Sequence, residues 1–272
     1  MTIINAYKMD GLGNNFLIID RRNNILNLNK DKIIELSNQN KVGFDQLIFI
    51  DKEINNITPI VIFNSDGDEI SACGNGSRCV AYLLGKEKKN NNISLQTNER
   101  VLLAEIVEDY SVKINMGKPI FDWNKIPISK NLDCKKINIE INGIEFNEGF
   151  ALNLGNPHII FFDENYFNCD LKKIGPIIEN HDIFPEKCNV SFAQVKDKNN
   201  IKIKVWERGA GITKACGTAA CATAVASYLK GLTERKVNII FNEGILNINF
   251  NENKNIFMTG PVSRIKKIEF QI

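Results

Sequence analysis

The sequence predicts an α+β fold of two pseudo-symmetric halves, each a curved, mostly antiparallel sheet or barrel wrapped round a central helix. Most of the chain alternates apolar and polar residues, as in 101–116, 135–152 and 236–250, which is typical of half-buried strands. Two short runs, 77–85 and 219–231, are apolar on nearly all sides, and a helix of that kind has to be buried all round. The third observation is an internal repeat.

The repeat extends over much of the chain. The first half contains GLGNNFLIID (11–20), which resembles NLGNPHIIFFD (153–163) in the second. The stretch PIVIFNSDGDEISACG (59–74) likewise has the same pattern of apolar, polar and glycine residues as IKVWERGAGITKACG (203–217). A drift of one residue over four pairs of landmarks indicates a duplicated chain. The pairs lie 142 or 143 positions apart: Asn14 and Asn156, Gln46 and Asn189, Asn64 and Glu207, and Cys73 and Cys216.

The duplication divides the chain into two domains. We expect an N-terminal half, 1–117, that carries Cys73, and a C-terminal half, 118–262, that carries Cys216, with the active site in the cleft between them. The C-terminal strand, 263–272, could close either half, and we assign it to the first.

Glycines mark the expected ends of several elements. Both apolar runs end in glycine, Gly85 and Gly231, which is a usual stop signal for a helix. The pair Asn142-Gly143 indicates a two-residue hairpin turn within 135–152.

Composition excludes several classes of function. The chain has 272 residues, 43% of them hydrophobic, and a formal net charge of +2. No cluster of Lys and Arg exceeds two or three residues outside KEKK (86–89), which we interpret as a solvated loop, so no nucleic acid partner is expected. No apolar run approaches about 18 residues and no export leader is recognisable, so we expect no membrane association and a cytoplasmic location.

Each Ala-Cys-Gly motif places a cysteine at the start of an apolar helix. The first turn of a helix has unpaired N–H groups and a partial positive charge, which lower the pKa of a thiol there. Two such cysteines on opposite sides of one pocket suit removal of a proton from one face of a carbon and delivery to the other. The sequence therefore predicts racemisation or epimerisation. The N–H groups expected to bind a substrate carboxylate belong to Gly74, Asn75, Gly217 and Thr218.

Other roles for the seven cysteines fit less well. Zinc is disfavoured because Cys73 and Cys79 are six positions apart, and Cys216 and Cys221 five, unlike the usual spacing of zinc ligands. Structural disulfides are rare in the expected compartment. Plain buried thiols are the interpretation for Cys79, Cys134, Cys169, Cys188 and Cys221.

Six motifs carry a resemblance to one family and span nearly the whole chain in the family's order: KMDGLGNNF, VGFDQL, IFNSDGDEISACGNGSRC, LGNPH, FPEKCNV and WERGAGITKACGTAACA. The chain resembles the diaminopimelate epimerases, which interconvert LL- and meso-diaminopimelate without pyridoxal phosphate. The two Ala-Cys-Gly motifs are highly specific.

The resemblance implies a role for each matching residue. Cys73 and Cys216 would be a thiolate/thiol acid–base pair, with His158 and Glu207 tuning their protonation. Arg208 would bind the distal carboxylate of the substrate and Glu207 an ammonium group. The substrate-binding residues would be Asn14, Gln46, Asn64, Gly74, Asn75, Asn156, Asn189, Glu207, Arg208, Gly217 and Thr218. The resemblance further implies no cofactor, no metal, a homodimer, and a place in lysine and peptidoglycan precursor biosynthesis.

Four positions depart from the family's usual residues: Asp10, Lys41, Ile212 and Lys214. Lys214 lies two residues before Cys216, and we hypothesise that its charge depresses the pKa of that thiol. None of the four removes a proposed contact.

Two other functions stay open at this point. One is an enzyme of related architecture that acts on proline or hydroxyproline, although a cyclic substrate would not need Glu207 and Arg208. The other is a non-catalytic protein that binds a small molecule in the same pocket.

Overall fold

A computed structural model describes residues 2–70, 73–141 and 143–272 of the chain. The chain divides into two compact units. Unit 1 comprises Met1–Asn115 and Thr259–Ile272, and unit 2 comprises Met116–Met258. Asn142 of the predicted hairpin turn lies outside the described residues.

The described residues of unit 1 form mainly strands, with two helices. Strands β8 (Ser111–Gly117) and β17 (Ile256–Pro261) run across a unit boundary. In chain order its elements are β1 (Ile3–Gly11), β2 (Asn14–Asp20), α1 (Lys30–Ser37), β3 (Gln46–Ile50), β4 (Ile57–Asn64), β5 (Glu69–Ile70), α2 (Gly74–Lys88), β6 (Asn92–Gln96), β7 (Val101–Glu108), β8 (Ser111–Gly117) and the last strand, β18 (Lys266–Gln271).

Unit 2 repeats this plan, with three helices among its described residues. Its elements are β9 (Ile137–Ile141), β10 (Ile144–Asn153), β11 (Pro157–Phe161), α3 (Glu164–Asn168), α4 (Leu171–Glu179), β12 (Asn189–Asp197), β13 (Asn200–Glu207), β14 (Gly211–Ile212), α5 (Gly217–Leu229), β15 (Lys236–Phe241) and β16 (Gly244–Phe250).

The strands of the two units pair in the same way. In unit 1, β1–β2 and β3–β4 are antiparallel, whereas β2–β3 and β4–β6 are parallel. In unit 2, β10–β11 and β12–β13 are antiparallel, whereas β11–β12 and β13–β15 are parallel. The register is equivalent too, since Phe16 pairs with Gln46 and His158 with Asn189. The predicted α+β fold and its duplication are confirmed.

The equivalent strands β1 and β10 each have a second neighbour on their other side. In unit 2 the neighbour of β10 is β9, the strand that precedes it in the chain. In unit 1 the neighbour of β1 is β18, in which Gln271 pairs with Ile3. Backbone hydrogen bonds of 3.1 Å in both directions also join Thr2 to Ile272.

A buried helix lies at the centre of each unit, as predicted. Residues 75–85 of α2 are buried, and so are most residues of α5. Five of the thirteen residues of α5 are alanines, and all five are buried. These two helices hold the cysteines of the candidate site.

The predicted end of the first central helix is wrong. Helix α2 continues past Gly85 to Lys88, and its C-cap is Lys89 in the left-handed conformation (φ 52°). A Cβ at Gly85 would lie 2.8 Å from the carbonyl oxygen of Asn90, so this glycine permits close packing rather than ending the helix. In α5 the expectation holds, because the helix ends at Leu229 and Gly231 follows with φ 73°.

The strands predicted in 101–116, 135–152 and 236–250 are present, and they form the hairpins β7–β8, β9–β10 and β15–β16. Helices α1, α3 and α4 were not predicted. Helix α4 contains Gly175 and Pro176, which are both usual helix-breaking signals.

Candidate active site

Cys73 is the N-cap of α2, at the helix start where the sequence places it. Its backbone is extended (φ −141°, ψ 112°), and its half-buried Sγ accepts a hydrogen bond from the Gly76 N–H at 3.4 Å. The side chain of Asn75 is buried in the first turn and accepts a 3.0 Å hydrogen bond from the guanidinium of Arg78, which is itself fully buried.

Cys216 is the N-cap of α5 in unit 2, with a similar extended backbone (φ −125°, ψ 116°). Its Sγ lies 3.4 Å from Thr218 Oγ1, and its side chain is buried. Burial, and then the carboxyl group of Glu207, raise the pKa of this thiol well above its usual value. The predicted lowering of the Cys216 pKa is therefore wrong, because in this structure desolvation and a like charge outweigh the helix terminus.

Glu207 is the last residue of β13, and it lies close enough to Cys216 for a hydrogen bond. Burial raises the pKa of its carboxyl group, while hydrogen bonds from Thr213 and Cys216 act in the opposite direction. Two acidic groups whose charged forms are both disfavoured thus lie side by side.

Replacing Glu207 by glutamine is expected to lower the pKa of Cys216, because a charge that repels the thiolate is removed. Alkylation of Cys216 by iodoacetamide should then be faster at a given pH, measured by peptide mass spectrometry across a pH series. An unchanged alkylation profile would show that Glu207 has no electrostatic effect on the thiol.

The variant Lys214→Gln tests in the same assay whether the charge of Lys214 depresses the pKa of Cys216. If it does, the variant should raise that pKa and slow alkylation at a given pH.

A chain of hydrogen bonds connects Cys216 to His158 within unit 2. Thr218 Oγ1, next to the sulfur, accepts a 3.4 Å bond from Asn156 Nδ2. Asn156 Oδ1 lies 2.8 Å from His158 Nε2. His158 therefore reaches the thiol through two intervening side chains.

His158 is a neutral imidazole across the physiological pH range. Burial, and then the positive charge of Arg208, lower its pKa from 6.5 to about 3. In the neutral form Nε2 carries the proton and donates to Asn156, while Nδ1 has no hydrogen-bond partner among the described residues. Any influence of His158 on Cys216 is thus exerted by orienting Asn156 and Thr218.

The polar residues of unit 1 lie at the ends of neighbouring strands. Asn14 begins β2, Gln46 begins β3, and Asn64 ends β4. Gln46 and Asn64 are directly paired, and Gln46 Nε2 donates to Asn64 Oδ1 at 3.0 Å. The structure therefore brings these two amides together.

The equivalent residues of unit 2 surround the turn that follows β13. Asn189 begins β12; its Nδ2 donates to the carbonyl of Pro157 at 2.8 Å, and its Oδ1 accepts from the Arg208 N–H at 3.0 Å. Arg208 is exposed, and its Nη1 donates to the carbonyl of Glu186 at 3.2 Å. Asn189, at 2% exposure, thus holds the backbone that carries Arg208.

Sequence reasoning missed Glu179, a buried residue at the end of α4 that hydrogen-bonds to both sides of Glu207 and Arg208. Nothing in the sequence indicated this role, because α4 was not predicted.

The remaining five cysteines are reduced. Cys79, Cys134, Cys188 and Cys221 are buried, and Cys169 is partly buried and packs against the core of unit 2.

Within residues 2–70, 73–141 and 143–272, no helix is long and apolar enough to cross a membrane. The same residues contain no group of three His, Cys, Asp or Glu arranged to hold a metal ion.

Comparison with solved structures defines the class of fold. The chain is similar to a structure described as a predicted epimerase from Pseudomonas aeruginosa, with a TM-score of 0.70 and 13% identity over 99% of each chain. At this identity the likeness shows a shared fold alone.

Sequence comparison then defines the family. The family model for diaminopimelate epimerase matches residues 6–121 and again residues 150–265. The chain is 50% identical over 272 residues to the diaminopimelate epimerase of Pelagibacter ubique (strain HTCC1062), covering 99% of each. It is 43% identical over 261 residues to that of a Wolbachia from Drosophila simulans (strain wRi), covering 95% and 96%. The chain belongs to the diaminopimelate epimerase family, which confirms the resemblance, and it is an isomerase.

Proposed function

We propose that the protein interconverts LL- and meso-diaminopimelate without a cofactor, using Cys73 and Cys216 as the acid–base pair. The observation that carries the proposal is that two reduced cysteines occupy equivalent positions, each the N-cap of the buried helix of a duplicated unit. Membership of the family supports the substrate.

The proposed reaction needs one sulfur on each face of the same α-carbon. A thiolate removes the α-proton, and the electron pair of the broken C–H bond is delocalised into the adjacent carboxylate. The thiol on the opposite face then delivers its proton, and the electron pair forms the new C–H bond. The two sulfurs exchange protonation states, so the same pair catalyses both directions.

We assign the resting thiol to Cys216, because burial and Glu207 raise its pKa. Cys73 is then the resting thiolate. Its half-buried position and the hydrogen bond that Sγ accepts from the Gly76 N–H favour an anion at the helix terminus.

The proposed substrate-binding groups lie at the ends of strands and in the first turns of helices in each unit. The reacting carboxylate is bound by N–H groups in the first turns of α2 and α5, at Gly74, Asn75, Gly217 and Thr218. Asn14, Gln46, Asn64, Asn156 and Asn189 line the pocket. Arg208 binds the distal carboxylate and Glu207 an ammonium group, so the charged residues of unit 2 replace the amide of Asn64 in unit 1.

His158 and Glu207 tune the acid–base pair by different routes. Glu207 acts on Cys216 through its charge, whereas His158 acts by holding Asn156 and Thr218 in place. We further propose that the protein works as a cytoplasmic homodimer in lysine and peptidoglycan precursor biosynthesis.

Solvent deuterium exchange tests this function. In D₂O, incubation with LL-diaminopimelate should yield meso-diaminopimelate with one deuterium at the inverted α-carbon, detected by NMR and mass spectrometry. Hydroxyproline is the control substrate and should show no exchange. Binding of diaminopimelate without exchange would favour a non-catalytic binding protein, and exchange with hydroxyproline alone would favour the related racemase chemistry.

A further inference from the structure

We infer that Glu179 is a positioning residue that holds the turn carrying Glu207 and Arg208, and thereby sets the affinity for the distal end of the substrate. We call residues 206–209 the recognition turn. The inference rests on the proposed function, because it concerns the two residues that would bind the distal groups.

The carboxyl group of Glu179 binds both ends of the recognition turn. Glu179 is 5% exposed and is the last residue of α4. Its Oε2 accepts a 2.7 Å hydrogen bond from Trp206 Nε1, and its Oε1 accepts a 2.8 Å bond from the Gly209 N–H. Because both oxygens accept, the ionised form of Glu179 fits this geometry. Glu207 and Arg208 lie between the two anchored positions.

The indole of Trp206 is also held by packing against α4. A Cβ at Gly175, one helical turn before Glu179, would lie 2.6 Å from Trp206 Cγ and 2.9 Å from Trp206 Cβ. The ring therefore rests directly on the helix backbone. This contact and the bond to Glu179 fix both the position and the orientation of the side chain that begins the turn.

Helix stability does not explain an acidic residue at this place. A negative charge at a helix C-terminus opposes the helix dipole, and burying a carboxylate costs free energy unless it is hydrogen-bonded. Bonds to an ionised acceptor are stronger than neutral ones and offset both costs. The contribution of Glu179 is therefore to hold the recognition turn in place.

The corresponding turn of unit 1 is held differently. It follows Asn64, and an exposed ion pair of 2.5 Å between Lys30 and Asp68 connects it to α1. Its residue Ser65 also accepts a 3.1 Å bond from Ser37 Oγ and donates its N–H to the Asp45 carbonyl at 3.1 Å. The turn that bears Glu207 and Arg208 is instead held by a buried carboxylate.

The variant Glu179→Gln tests the inference, because it keeps the size but places an NH₂ group against one of two N–H donors. We expect KM for LL-diaminopimelate to rise about tenfold and kcat to fall by a smaller factor, since the distal binding groups move whereas the thiols stay at their helix termini and only the effect of Glu207 on Cys216 is disturbed. Trp206→Phe, which removes the indole N–H together with part of the ring, should raise KM in the same direction but less, because the bond from the Gly209 N–H to Glu179 remains. The double variant should be non-additive, because both changes break one network.

A matched control separates positioning from general loss of stability. Thr233→Val removes another buried hydrogen bond of unit 2, that between Ser227 and Thr233 at 2.7 Å, and should lower the melting temperature without changing KM. An unchanged KM in Glu179→Gln, with lower stability or lower kcat, would overturn the inference.

The dissociation constant keeps the inference separate from the proposed activity. Titration calorimetry with LL-diaminopimelate in a Cys73→Ala background should give a value about tenfold weaker when Glu179→Gln is added. A wild-type protein that binds the substrate but does not epimerise it would overturn the proposed function alone. An equal affinity with and without Glu179→Gln would overturn the inference alone.

Discussion

Replacing Cys73 or Cys216 by alanine is expected to lower the rate of diaminopimelate epimerisation by on the order of 10³-fold or more. Each sulfur is proposed to be the base in one direction and the acid in the other, so neither direction can proceed normally with one of them. Conversion of LL- to meso-diaminopimelate and the reverse reaction should both be measured, by chromatography of the stereoisomers.

Two further cysteines of the same helices provide the control. Cys79 in α2 and Cys221 in α5 are fully buried, and alanine there removes a sulfur without touching either N-cap. Cys79→Ala and Cys221→Ala should retain most of the activity. If Cys73→Ala or Cys216→Ala were comparably active, the two-base mechanism would have to be abandoned.

Stability is expected to fall by about 2 kcal/mol between pH 7 and pH 5 because of His158 alone. Its pKa is about 3 in the folded protein, against an ordinary value of 6.5. Below pH 6.5 the unfolded chain takes up a proton that the buried imidazole refuses. The loss therefore begins near pH 6.5 and levels off near pH 3.

Urea unfolding of the wild type and of His158→Gln at both pH values measures this loss. Glutamine can still donate an amide hydrogen but does not titrate, so the wild type should lose about 2 kcal/mol more than the variant on acidification. His181, the other histidine of the chain, is present in both proteins and cancels. Equal losses would mean that His158 is protonated in the folded state.

The structural features that occur in both halves of the chain could be predicted from the sequence. The strand pattern, the two buried helices and the place of each Ala-Cys-Gly motif are local signals, and the constant spacing made each half evidence for the other. The meeting of Gln46 and Asn64, by contrast, depends on the register of β3 with β4, which the sequence alone did not supply.

The end of α2, the pKa of Cys216 and the presence of α4 depend on tertiary contacts, which the sequence alone does not show. A glycine ends a helix in one unit and lies inside it in the other, because Gly85 packs against the Asn90 backbone. The same holds for Cys216, whose pKa depends on the burial of the thiol and on Glu207. Helix α4 was hidden by Gly175 and Pro176, and with it Glu179.

The pairing of β18 with β1 has a consequence for the ancestry of the gene. In unit 2 the corresponding strand, β9, comes first in the chain, whereas in unit 1 it comes last. Thr2 and Ile272 are already hydrogen-bonded neighbours, so a short peptide could join the two ends of the chain. A circular permutant opened near residue 118 would then encode two uninterrupted tandem copies, the order that a simple head-to-tail duplication would have produced.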